Sequence, residues 1–275
     1  MMGPLGRERS GTMSMKMIPL GINGFFPSFG RHTMSVLVLT PGEAVLLDAG
    51  TGVSRLSELR IKELVRPYER LNVILSHYHL DHIVGLPYLS GMWKQGPVRI
   101  YAPGKPFVDV EPQHTLDQFL RPPFFPATLQ DFPIPMEVIP IRDQVIQIGK
   151  LSVRLRVQNH PGGSTGIRIE DAIAYVTDTT VEQGSETFVD GVNILLHEVY
   201  LTDAEAEQDL TERSRHSYVS AVAQVAKRAR VARLMPIHHN PWRTSAEISK
   251  MAREMERLAR IEVLAPEEGR IYALD

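Results

Sequence analysis

Asn72-Val-Ile-Leu-Ser76 reads as a short strand, apolar nearly throughout, and His77-Tyr-His79-Leu-Asp81-His82 follows it directly. A strand of that kind suits a sheet covered on both faces. Its exit is the rim of such a sheet, where loops carry sites. In an extended run side chains alternate, so His77 and His79 project to the same side. As the chain turns toward a helix at Leu80, Asp81 and His82 swing toward the same pocket. That offers two imidazoles to one metal ion, and a carboxylate with an imidazole to a neighbour. The chain holds 10 histidines and no cysteine. Thiolate sites, disulfide frameworks and cysteine nucleophiles are therefore excluded. Neutral imidazole and carboxylate suit zinc, and also manganese or iron.

The remaining pattern is of strands, then strands mixed with helices. Residues 1–16 read as a flexible leader and 17–275 as one domain, with no linker and no internal repeat of roughly 20–50 residues. Ser35–Thr40 and Ala44–Asp48, joined by Pro41-Gly42-Glu43, form an expected hairpin. Ser54–Val65 reads as one helix with Leu56, Leu59, Ile61 and Leu64 able to face inward. Val98–Ala102 and Met136–Ile141 are further strands, and Leu151–Gln158 alternates like a half-buried one. Gly166–Glu170 and Ala172–Thr177 form a second hairpin. Val192–Leu196 and Ala232–Ile237 read as buried strands. Tyr218–Arg230 and Ala246–Arg260 carry helical apolar stripes, with Ser217 as an expected cap for the first and Thr244-Ser-Ala-Glu247 as a capping box for the second. Ile261–Ala265 and Arg270–Leu274 close the chain as strands. Residues 103–135 are rich in proline and phenylalanine with little periodicity, which fits either a lid or binding loop or an irregular packing segment.

Four residues cannot fill two metal sites, so other ligands must come from elsewhere. His160 ends the alternating strand before Pro161-Gly-Gly163. Asp178 ends the strand Ala172–Thr177. His238 and His239 end the strand Leu234-Met-Pro-Ile237. Each alone is more readily a turn, cap or surface residue.

Together, in this order, these motifs resemble the metallo-β-lactamase superfamily over about residues 18–275. The resemblance implies an α/β (α+β) fold, the four-layer αββα sandwich of dinuclear metallohydrolases. It implies that His77, His79 and His160 hold one divalent ion, that Asp81, His82 and a C-terminal histidine hold a second, and that Asp178 bridges them. Position favours His238 over His239 as that last ligand. Leu46-Leu47-Asp48-Ala49-Gly50 resembles the strand whose aspartate supports the site without binding metal. Zinc is the expected ion, with manganese or iron as alternatives.

Fold does not fix the reaction. Leu195-Leu-His197-Glu198-Val199 and Arg215-His216-Ser217 resemble the segments of the tRNase Z-like phosphodiesterase branch that supply a Glu–His pair. By that resemblance His216, oriented by Glu198, protonates the leaving oxygen. Asp81, His216 and Glu198 are the expected catalytic residues, with Asp81 also a ligand. Long Lys/Gly-rich insertions are missing, and the formal net charge is −2. A small phosphodiester, such as a cyclic nucleotide or cyclic ribose phosphate, is therefore expected over bulky RNA. A tRNase Z-like endoribonuclease and a lactone or β-lactam hydrolase are the alternatives. Arg31 and Arg168 are candidate phosphate partners, although solvated side chains fit each better. The Phe-rich segment is a candidate for stacking on a base. No apolar run approaches the roughly 20 residues of a membrane span, and the N-terminus lacks the apolar core of a secretory signal. A cytoplasmic protein is expected, with a homodimer as an open alternative.

Overall fold

A computed structural model describes residues 15–208 and 216–274. Residues 1–14 of the expected leader lie outside that range. Met15 and Lys16 do not belong to a leader, because the first strand begins at Met15. Among the described residues, the strands form two seven-stranded sheets.

The first sheet contains β1 (Met15–Gly21), β2 (Ser35–Leu39), β3 (Ala44–Leu47), β4 (Leu71–Ile74), β5 (Val98–Pro103) and β6 (Met136–Ile141). The second contains β7 (Val145–Ile148), β8 (Leu151–Gln158), β9 (Ser164–Ile169), β10 (Ile173–Val176), β11 (Ile194–Glu198), β12 (Arg233–Ile237) and β13 (Glu262–Val263). The last strand, β14 (Tyr272–Leu274), returns to the first sheet beside β1. In each sheet one half is antiparallel and the other parallel. β3, β4, β5 and β6 run parallel, as do β10, β11, β12 and β13.

The sheets face one another across a core of Val36, Val38, Val45, Leu47 and Ile74 from one side, and Val153, Ile167, Tyr175, Leu196 and Met235 from the other. The alternate residues Leu37, Leu46 and Val73 point outward and are buried under helices. Period-2 alternation thus feeds two cores from one strand, which is why these strands are apolar at nearly every position. The outer layer of the first sheet holds a 3₁₀ turn (Thr51–Ser57), α1 (Leu59–Val65), α2 (Leu80–Ile83), α3 (Leu86–Met92) and α4 (Pro112–Phe119). That of the second holds α5 (Ser185–Val189), α7 (Val219–Arg228) and α8 (Ser245–Ala259), while α6 (Asp203–Gln208) buries none of its residues. The result is the expected αββα sandwich.

Several local expectations change. Ser54–Val65 is not one helix: Glu58 is extended (φ −65°, ψ 134°) and splits it. Leu56 and Ile61 both reach the core. Five residues at about 100° each would set them roughly 140° apart on a single helix, so the break lets both face inward. Leu59 is left outside, 77% exposed. Ser217 does not cap α7; Tyr218 occupies that position, and the Ser217 hydroxyl donates instead to the Thr179 carbonyl at 2.7 Å. The capping box of α8 forms as read, with Thr244 and Glu247 each accepting from the other's backbone N–H. Segment 103–135 contains α4 and a short 3₁₀ turn (Leu129–Asp131), and it buries Phe107, Leu116 and Leu120.

Candidate metal centre

The site lies at the carboxyl ends of strands from both sheets. β3 delivers Asp48, β4 leads to His77, β8 to His160, β10 to Asp178, β11 carries Glu198 and β12 ends before His238. Three of these exits turn through left-handed backbone: Asp48 (φ 56°), Asp178 (φ 50°) and His238 (φ 51°). This conformation is uncommon outside glycine and clusters at functional sites. Here it folds a side chain back over the strand end that carries it.

Asp48 is fully buried and accepts four hydrogen bonds. The Ser76 N–H and hydroxyl donate at 2.7 Å each, the His82 Nδ1–H at 2.7 Å, and the Tyr175 hydroxyl at 2.6 Å. The last bond crosses from the second sheet to the first. Because Ser76 gives its proton to Asp48, its oxygen accepts from His77 Nδ1 at 2.9 Å. Both imidazoles are therefore held by Nδ1 and turn Nε2 toward the donor cluster, as hydrogen-bonded partners orient metal-binding histidines elsewhere.

Three groups of donor atoms converge there: His77, His79, His160 and Asp178; Asp81, His82 and His238; and Asp178, His216 and His238, of which the first two match the expected ligand sets. Asp178 joins them. Its Oδ1 lies 3.3 Å from His160 Nε2, and its Oδ2 lies 3.1 Å from His82 Nε2 and 3.2 Å from His238 Nε2. Asp81 Oδ2 lies 3.3 Å from His82 Nε2 and 3.4 Å from His238 Nε2. His79 Nδ1 and His160 Nε2 face each other at 3.2 Å. Ligands about 2 Å from a tetrahedral ion sit about 3.3 Å apart, so this spacing suits a shared cation. His77 Nε2 is buried with no hydrogen-bond partner, as a ligand nitrogen would be.

The electrostatics fit the same reading. Burial pushes His77 well below its ordinary value and His160 down to about 4, so both hold the neutral form that a metal needs. Burial alone would raise Asp81 and Asp178, yet the neighbouring His82 and His238 hold both carboxyls well below the usual range. Conversely, burial would lower His238, but Asp178, Asp81 and Glu198 push it up to about 10. Buried carboxylates thus demand positive charge, which protons on His82 and His238 supply and divalent cations could replace.

Glu198 is buried beside this cluster. Its Oε1 accepts from the Thr179 and Ser217 N–H groups at 2.8 and 3.1 Å, and its Oε2 from His216 Nδ1 at 2.7 Å. Burial would raise its carboxyl; His216 and His238 bring it down to about 2. Tyr200 stacks on the His216 ring at 4.3 Å and 15°.

Five of the seven expected ligands, His79, Asp81, His160, Asp178 and His238, line one cleft of about 600 Å³ together with Phe25, Leu80 and Tyr200, and His77 and His82 are buried. His238 points into the cleft. His239 does not: it is fully buried outside these donor groups, and burial, then the Arg31 and His238 charges, takes it to about 3. Arg31 and Arg168 correct the expectation in both of its forms, since each is buried rather than solvated and each is consumed internally. Arg31 donates to Asn23 Oδ1 at 2.8 Å and to the Arg243 carbonyl. Arg168 donates to the carbonyls of Glu170, Phe188 and Asp190. The described lining of the cleft includes nothing from segment 103–135; Phe107 packs in the inter-sheet core instead. Sequence reasoning missed Phe25, Tyr200 and Tyr175. Only Tyr175 left a signal, as a polar-tipped residue at an inward position of β10.

A family model described as a beta-lactamase superfamily domain matches residues 43–239, which span every residue of these donor groups. The chain belongs to the metallo-β-lactamase superfamily. Among curated superfamily relatives, ribonuclease Z of Treponema pallidum is 24% identical over 306 aligned positions, covering 90% of this chain and 93% of that protein. Among solved structures, the metallo-β-lactamase fold protein YhfI from Bacillus subtilis has a TM-score of 0.74 at 21% identity, covering 94% of this chain and 99% of that one. A diphosphatase from the PhnP family has a TM-score of 0.66 at 17% identity, covering 95% and 98%.

Proposed function

We propose that this superfamily member is a dinuclear metal-dependent phosphodiesterase acting on a small phosphodiester such as a cyclic nucleotide or cyclic ribose phosphate. The ribonuclease Z relatives support a phosphoester hydrolase at the coarser level. The observation that carries the phosphodiesterase reading is the Glu198–His216 pair, with Glu198 buried and His216 lining the same cleft as His79, Asp81, His160, Asp178 and His238.

In this reading His77, His79 and His160 hold one divalent ion, Asp81, His82 and His238 hold the other, and Asp178 is shared. Such ions, zinc by preference for this donor set, would neutralise phosphate charge and acidify a water. The chain's own residues do the rest. Glu198 is pinned by two backbone N–H groups, so it cannot rotate away from His216. It accepts a hydrogen bond from Nδ1–H and leaves the Nε2–H of the His216 imidazolium to hand its proton to the departing oxygen. Tyr200 holds the plane of that imidazole by stacking. The ribonuclease Z relatives weigh against a lactonase or β-lactamase.

A small substrate is supported by the cleft's size and by the lack of any lysine or arginine among its described lining residues. RNA binding draws on many phosphate contacts. The test is hydrolysis of bis(p-nitrophenyl) phosphate by metal-loaded protein, with and without a chelator. Chelator-sensitive turnover is expected, as is a higher kcat/KM for cyclic nucleotides than for a precursor tRNA. Protein that holds two ions and turns over no phosphodiester refutes the reading.

A further inference from the structure

An aromatic wall begins at the cleft with Phe25, continues through Phe26 to Trp242 outside the cleft's lining, and takes no part in the chemistry above. Phe25 lines the cleft and is 72% exposed, and Trp242 is 73% exposed. Phe26 stands between them, 5.4 Å from Phe25 and 5.2 Å from Trp242, at interplanar angles of 62° and 77°. The exposure of the outer two rings leaves much of their surface open to a ligand.

Burial does not hold these exposed rings in place; the backbone does. Phe25 sits at φ 63° and its N–H donates to Asp81 Oδ2 at 2.7 Å. The Gly24 N–H donates to the His239 carbonyl at 2.9 Å, and the Ser28 hydroxyl to the Pro241 carbonyl. Arg31 spans from Asn23 to the Arg243 carbonyl. The two aromatic loops are thus tied to each other and, through Asp81, to the donor cluster. Large exposed aromatic surface is a liability unless it binds something. A bulky residue at positive φ is a further cost that the surroundings must maintain. Both are accounted for by a planar ligand.

We propose that this wall stacks on a nucleobase, so that the substrate is a nucleotide and not a bare sugar or alkyl phosphodiester. The position of the phosphorus rests on the phosphodiesterase reading; the stacking does not. Every base has a π-face that an aromatic side chain can accept, and neither a nucleobase nor an aromatic wall requires the cations that the described lining lacks.

The chain has two tryptophans, and Trp93 is 0% exposed, so quenching by a ligand reports on Trp242. Metal-loaded protein is titrated with adenosine monophosphate and with ribose 5-phosphate. Saturable quenching by the nucleotide alone is expected, with the apparent Kd raised about tenfold in Phe25→Ala, a typical loss for one base stack. Equal responses to the two ligands, or an unchanged Kd in the variant, overturn the proposal. In parallel, kcat/KM is compared for the p-nitrophenyl ester of thymidine monophosphate and for methyl p-nitrophenyl phosphate. The ratio is expected to favour the nucleoside ester and to collapse in Phe25→Ala and Trp242→Ala; a ratio untouched by both variants refutes stacking. If neither ester turns over while quenching persists, the phosphodiesterase reading fails and the stacking stands. An oligoribonucleotide that displaces adenosine monophosphate far more tightly supports stacking and assigns the base to an RNA chain.

Discussion

Gly24→Ala tests how tightly the second donor group is built. Gly24 lies outside the left-handed region, so its backbone accepts alanine. On conformational entropy alone the change would stabilise by about 0.4–1 kcal/mol. The added methyl, however, would lie 2.5 Å from His238 Cε1 and 2.7 Å from its Nε2. Ordinary contact begins near 3.4 Å, so the ring must retreat by about 0.9 Å. Metal–ligand distances tolerate about 0.2 Å. His238 is therefore expected to leave the group with Asp81 and His82, while His77, His79 and His160 stay in place. Metal content after dialysis, read by elemental analysis, should fall from two ions per chain to one. Turnover should fall about 10²-fold, the scale of a 1 Å misplacement, and overpacking should cost about 1–3 kcal/mol in urea unfolding. Gly91→Ala is the control, since a methyl there meets nothing within 4 Å. Two ions and full turnover in Gly24→Ala would refute the assignment of His238.

Other variants probe the remaining parts. His216→Ala should lower turnover by about 10²–10⁴-fold with both ions retained; loss of an ion would make His216 a ligand, as its proximity to Asp178 and His238 allows. Tyr175→Phe removes one of four donors to Asp48, and should cost about 1.5–3 kcal/mol of stability and about tenfold in metal affinity, measured by unfolding and by competition with a chelator. His239 has its folded value near 3 against an ordinary 6.5. Its neutral form is favoured by folding, so that stabilisation is complete above pH 6.5 and lost as pH falls toward 3, at up to about 1.4 kcal/mol per pH unit. Urea unfolding of the metal-free protein should show this slope, and His239→Gln should flatten it; parallel profiles would sink the idea.

The strand-borne part of the site was legible because alternation and strand ends leave marks in sequence. His77 and His79 share a side by period 2, and Asp178 and His160 close recognisable strands. The choice between His238 and His239 was not legible from residue type. It is made by one left-handed turn at His238, which sends that ring into the cleft and its neighbour into the interior. Phe25 and Tyr200 come from loops with no period to read. Arg31 and Arg168 misled because composition cannot distinguish a solvated guanidinium from one spent on buried carbonyls. Ser54–Val65 looked continuous because the split at Glu58 carries no glycine or proline.

The Tyr175–Asp48 hydrogen bond has a counterpart in the origin of the proposed ligands. His77, His79, Asp81 and His82 extend from the first sheet, and His160, Asp178 and His238 from the second. Neither of the two expected ligand sets, His77, His79 and His160 with Asp178 or Asp81 and His82 with His238, lies within one sheet's share of the chain. An ion held across this seam would act as a rivet between two separately woven layers. Its binding free energy would count toward their registration. Sequence changes deep in the inter-sheet core, far from any substrate, would then be read out first as looser metal binding and only later as unfolding.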